Sequence, residues 1–137
     1  MYLLLLFSFL PMGTQPAPVT FTTLDRGASS QIEEPRTVVV RTAAAWAALW
    51  KEHAGGRKPP AVDFTRSMVV GVFVGSRPTA GFSVEILQIA PRGETLVVTS
   101  REVRPAADAM VAQMLTAPFH LVLTASRAGE VVFEQQR

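Results

Sequence analysis

"SMVVGVFVGSRPTAGFSVEI", residues 67–86, decides how this chain folds. Its first part, Met68 to Val74, is apolar at both parities of the two-residue strand repeat. A strand of that kind has both faces covered, so something packs on each side of its sheet. Its last part alternates instead, with Phe82, Val84 and Ile86 on one face and Ser83 and Glu85 on the other. Between them stand Gly75, Pro78 and Gly81, more special backbone than a plain hairpin needs. Positive φ at the glycines and a turn pre-set by the proline would explain them as a connection between two core strands. The tip "SRPT" also suits a contact site: Arg77 offers a planar donor fork, and Pro78 lowers the ordering entropy that binding costs. Ser76, Arg77, Pro78, Thr79 and Phe82 are therefore the candidate partner-binding residues, with both readings open.

Outward from this stretch, the chain reads as one helix among strands. "VTFTTLDRG", residues 19–27, alternates and stops at glycine, and Thr37 to Val40 form a short β-branched strand. Thr42 then caps a helix, "AAAWAALWKEH", whose Trp46, Leu49 and Trp50 share one face at i, i+3 and i+4. "GGRKPP" ends it, and Asp63 in "PAVDF" reads as a turn-former bonding nearby amides. Tryptophans one turn apart on an apolar stripe are read as core rather than as a stacking site. After Phe82 a hairpin runs to about Val103 through "APRGET", with a phase shift that predicts a bulge near Leu87. "RPAADAMVAQMLTAP" is either a short helix or an irregular extended segment, and "FHLVLTASRAGEVVFEQ" is expected to close as a second hairpin across Ser126 to Gly129. The expected class is α+β: a mostly antiparallel sheet, Met68 to Val74 central, with one amphipathic helix packed on it. A sandwich of two small sheets is the competing architecture.

The N-terminus differs in kind. An apolar run from Tyr2 to Leu10 carries no charge and is ended by Pro11. It is shorter than the roughly 20 apolar residues a membrane helix needs, and it fits the core of a secretory signal, with cleavage after Ala17. The expected organisation is a signal peptide over 1–17 and one domain over 18–137, secreted or retained in the periplasm or cell envelope, with no stable span after cleavage. The chain has no cysteine, which excludes a disulfide framework, a thiol nucleophile and a lipid-bearing cysteine.

Chemistry is thinly represented. The two histidines, His53 at the helix end and His120 at a strand start, are isolated, so no metal site is expected. No serine lies in a G-x-S-x-G elbow, "GASSQ" reads as a turn, and Glu33 and Glu34 are adjacent rather than paired across a cleft. No phosphate-cradling glycine pattern occurs. With 13 scattered basic residues against 11 acidic ones, no block of charge marks a nucleic-acid surface. The expectation is a non-enzyme with no catalytic residues, no cofactor and no metal.

Several segments in order carry a family resemblance. The helix "AWAALWKEH", the turn Val62–Asp63–Phe64, the strand and loop through Gly75, Pro78, Thr79, Gly81 and Phe82, the return strand "LVVTSREV", and Thr116 with Pro118 resemble the PrcB protease-complex subunit family, C-terminal domain. The resemblance runs from about Gly27 to Leu123. Ala80 stands where that family usually has glycine, and Phe82 replaces a tyrosine. The resemblance implies an exported, non-catalytic domain that binds or stabilises a protein partner, a surface or secreted protease. More locally, "RPTAGF" resembles the cleft-entering loop of chagasin-type cysteine-protease inhibitors, which makes inhibition through residues 75–82 the alternative. A generic envelope module is the third reading.

Overall fold

A computed structural model describes residues 17–137; the expected leader therefore lies outside the described residues, apart from Ala17. Seven strands and one helix follow in the order β1 (Phe21–Gly27), β2 (Arg36–Val40), α1 (Ala43–Ala54), β3 (Ser67–Phe73), β4 (Ser83–Arg92), β5 (Thr95–Val103), β6 (Phe119–Ala125) and β7 (Val131–Gln135). Four strands form an antiparallel sheet in the order β1-β6-β3-β2, and three form a second sheet in the order β4-β5-β7. The class is α+β and mostly antiparallel.

The double parity of β3 now has its cause. Val69 and Phe73 point to one side, where they meet Trp46, Leu49 and Trp50 of α1 together with Phe119 and Leu121 of β6. Met68, Val70, Val72 and Val74 point to the other, against Val84, Ile86, Ile89, Leu96 and Val98 of the second sheet. The two architectures set against each other in the sequence are thus both present: helix, four-stranded sheet and three-stranded sheet are stacked as three layers. The helix starts where Thr42 accepts the Ala45 amide at 3.2 Å. Its tryptophans are core, and each indole N–H is satisfied, by the carbonyls of Pro60 and Arg57. Asp63 accepts the Thr65 amide and hydroxyl, as its turn required.

Two bulges set the registers. In β4 the pairing slips between Ile86 and Gln88, so Leu87 is the extra residue and Ile86 and Ile89 both face inward. In β1 it slips between Thr23 and Asp25. Thr23 then reaches His120 between the sheets, while Leu24 and Asp25 both face the helix layer.

The closing hairpin does not form. β6 already has β1 and β3 as neighbours, so it has no free edge to offer. β7 crosses to the second sheet and pairs with β5 in parallel, Leu96 opposite Val131 through Ser100 opposite Gln135. Arg41 holds the crossing by donating to the carbonyls of Arg127 and Gly129. The sandwich is closed where β1 meets β4, through Val19 to the Ile89 carbonyl and Arg26 to the Val84 carbonyl. It is open between β2 and β7, where a cleft of about 560 Å³ is floored by Val72 and Val74 and walled by Arg36, Phe133 and Arg77.

Candidate functional site: two paired loops at one end of the sandwich

The loop of residues 75–82 is not a free tip. Gly75 and Gly81 have φ of 85° and 94°, so the conformational reading of both glycines holds. The Ser76 amide donates to the Glu33 carbonyl, and Arg77 exchanges two backbone hydrogen bonds with Thr116 at 2.7 and 3.0 Å. The Ala80 amide donates to the Ala112 carbonyl, and the Thr116 hydroxyl to the Thr79 carbonyl. A Cβ on Gly81 would lie 2.9 Å from Pro105 and 3.0 Å from Val111. The partner in all of this is the segment "RPAADAMVAQMLTAP", residues 104–118, which is irregular rather than helical beyond one turn at Ala106–Ala109. Two loops, both unusual in sequence, are built as one unit.

The Arg77 fork is used internally. Its guanidinium grips Glu102 with both carboxylate oxygens, at 2.6 and 3.0 Å, and both side chains are largely buried. That hydrogen bonding, and secondarily the charges of Arg77 and Arg104, holds the Glu102 carboxyl below its ordinary range. The expectation that Arg77 is a spare donor at an exposed tip is thereby corrected. Of the other candidates, Ser76 and Pro78 are exposed, while Thr79 and Phe82 are half-buried.

What the sequence reading missed is the partner loop itself. The large apolar side chains exposed among the described residues are Val103 (41%), Met110 (101%), Met114 (52%) and Leu115 (76%), all on one stretch. A signal was present: four large apolar residues (Met110, Val111, Met114, Leu115) at i, i+1, i+4 and i+5 in an alanine-rich segment would share one face of a helix. That helix does not form, and Met110, Met114 and Leu115 stay exposed.

Two buried histidines bear on catalysis. His120 accepts the Ile86 amide on Nδ1 at 2.9 Å, so its proton is on Nε2, which donates to the Thr23 hydroxyl at 2.8 Å. Burial, with the nearby Arg26 charge, pushes its pKa down to about 4, against partial opposition from Glu85. It ties the two sheets together through β4 beside the bulge. His53 lies between Ser30 Oγ at 2.8 Å and Asp25 Oδ2 at 2.9 Å, a serine–histidine–carboxylate order that sequence spacing did not reveal. The bulge in β1 delivers the carboxylate, and Arg57 also binds it.

The same three side chains are tied into the surrounding backbone and core. Ser30 is buried, and its Oγ accepts the Ile32 amide while facing the imidazole. The neighbouring amides of Ser30, Gln31, Ser76 and Ala117 all go to carbonyls, so these four do not point at an oxyanion. The unit pins β1, the 28–35 segment and the end of α1 around Phe73 and Phe119. Among the described residues no three metal-ligating side chains converge, and no helix is long and apolar enough to cross a membrane.

Comparison with known proteins gives one finding. A family model described as PrcB C-terminal matches residues 68–125, from β3 through β6, and so spans both loops. Neither a curated protein nor a solved structure matches. The matched stretch leaves out α1 and the first two strands, although the sequence resemblance began near Gly27. It contains Gly75, Pro78, Thr79, Gly81, Thr116 and Pro118; of these, Thr116 donates its hydroxyl to the Thr79 carbonyl, and the Pro118 carbonyl accepts the Val74 amide. Over residues 68–125, a little under half of its length, this chain is similar to the PrcB C-terminal family.

Proposed function

We propose that this chain is an exported, non-catalytic domain that docks a protein partner, a protease of a surface or secreted complex, through the paired loops. The supporting observation is the collection of Met110, Met114 and Leu115 on one irregular segment, exposed beside Ser76 and Pro78. Exposed apolar side chains gathered in one place mark interaction surfaces, and methionines adapt to an irregular partner face. The match to the PrcB C-terminal family model supports the protease association, and the apolar leader supports export. Thr79 and Phe82 belong to the same surface as its half-buried support, with Arg77 fixing its shape through Glu102.

The test is capture from the native exported fraction on immobilised domain. Met114→Asp with Leu115→Asp reduces the captured partner at least about tenfold, as expected when central apolar contacts become charged. Its melting temperature stays close to that of the unaltered chain, since neither side chain is core. The same partner captured to the same extent by both forms overturns the reading.

A further inference from the structure

Met110 is the most exposed large apolar side chain among the described residues, and nothing in the fold uses it. Its neighbours Ala106, Ala107, Ala109 and Ala112 are small, so another backbone can approach this stretch without obstruction. No hydrogen bond among the described residues engages the backbone of Met110 or Val111. The feet of the stretch are nevertheless fixed. Pro105 and Val111 press on Gly81, Ala112 is bonded to Ala80, the Ala109 amide closes a turn on Ala106, and Thr116 is bridged to Arg77. A bulky apolar side chain therefore projects from a backbone with free donors and acceptors, held at both ends.

We propose that residues 108–113 enter the substrate cleft of an endopeptidase as a substrate-like loop, with Met110 filling an apolar primary specificity pocket. The proposal rests on the protein-partner reading above and names the partner's chemistry. An unbranched thioether suits a hydrophobic slot and not a pocket with an acid at its base. The free Met110 and Val111 groups pair with an extended strand of the cleft, as peptides do when they add to a sheet edge. Anchoring by the 75–82 loop reduces the ordering cost of binding. The 75–82 loop is then the support, and the neighbouring loop is the element that enters.

Position 110 is fully exposed, so substitutions there test binding without disturbing the fold. The full chain is assayed against chymotrypsin, whose pocket is a hydrophobic slot, and trypsin, whose pocket carries an aspartate. The expected pattern is inhibition of chymotrypsin and not trypsin, weakened at least about 100-fold by Met110→Asp and transferred to trypsin by Met110→Lys. The proposal is overturned if chymotrypsin is not inhibited, if all three forms behave alike, or if the chain is cut after Met110 as fast as when unfolded. Should that happen while Met114→Asp with Leu115→Asp still abolishes capture, the docking surface stands and the insertion of Met110 does not.

Discussion

At the scale of single residues, hydrogen-bond direction decides the chemistry. The Ile86 amide can only donate, so Nδ1 of His120 must stay unprotonated, and a charged ring would set two N–H groups against each other. An unfolded histidine takes up its proton near pH 6.5, whereas the folded one waits until about 4. Its contribution to stability is therefore complete above pH 6.5 and is lost as the pH falls from there to about 4, beyond which no more is lost. The loss is expected to reach about 3 kcal/mol. A ring-proton NMR titration of His120 should show the neutral form still dominant at about pH 5; a midpoint above 6 would contradict the hydrogen-bond assignment.

Ser30 gives a second prediction at this scale. Because its hydroxyl is enclosed between His53 and the Ile32 amide, a fluorophosphonate should leave it unlabelled in the native chain. Ser30→Ala should cost about 1–3 kcal/mol in urea unfolding, the range for orphaning buried partners. Covalent labelling at Ser30 would mean that the relay is an active site. For Arg77→Ala the expected loss is about 1–2 kcal/mol, since Glu102 then stays largely buried and unpaired. The stability from this pair is present above the ordinary carboxylate pKa of 4.5 and disappears as the pH falls through the lower folded value.

At the scale of elements, the sequence was most legible where periodicity and packing agree. The parity of Met68 to Val74 announced two covered faces, the tryptophan spacing announced the helix stripe, and the phase shift after Ile86 announced the bulge at Leu87. Each signal is local and is enforced by burial. The paired loops were legible only by half: Gly75, Pro78 and Gly81 flagged one of them, but its use of Arg77, Thr79 and Ala80 depends on residues 25 to 39 positions away. Gly81 ties the two loops most tightly. Gly81→Val combines strain at a φ of 94° with a Cβ against Pro105 and Val111, so it should cost about 2 kcal/mol or more. It should also displace the 104–118 segment, seen as faster amide exchange at Ala80 and Thr116, whose bonds span the loops. Unchanged exchange at both amides would show that the loops are not one unit.

At the scale of the whole molecule, what escaped the sequence is what depends on which edges are already occupied. "SRAG" looks like a hairpin turn, yet β6 is flanked on both sides, so β7 had to find the free edge of β5. The Ser30–His53–Asp25 relay escaped for a related reason, since β1 and α1 meet only once the four-stranded sheet is assembled and the bulge in β1 has turned Asp25 inward. The assembled layers put the paired loops at one end of the sandwich and the β4–β5 turn, with Gly93 and Glu94, at the other, separated by the length of a ten-residue strand, about 30 Å.

That separation allows the docking end to be tested directly. A photo-crosslinking side chain is placed at position 110 in one chain and at the exposed position 94 in another, and each is irradiated in the native exported fraction. The prediction is a discrete crosslinked protein from position 110 and none from 94. Crosslinking from 94 with equal efficiency to the same protein, or none from 110 while the partner is still captured, would contradict the assignment of the paired loops as the docking surface.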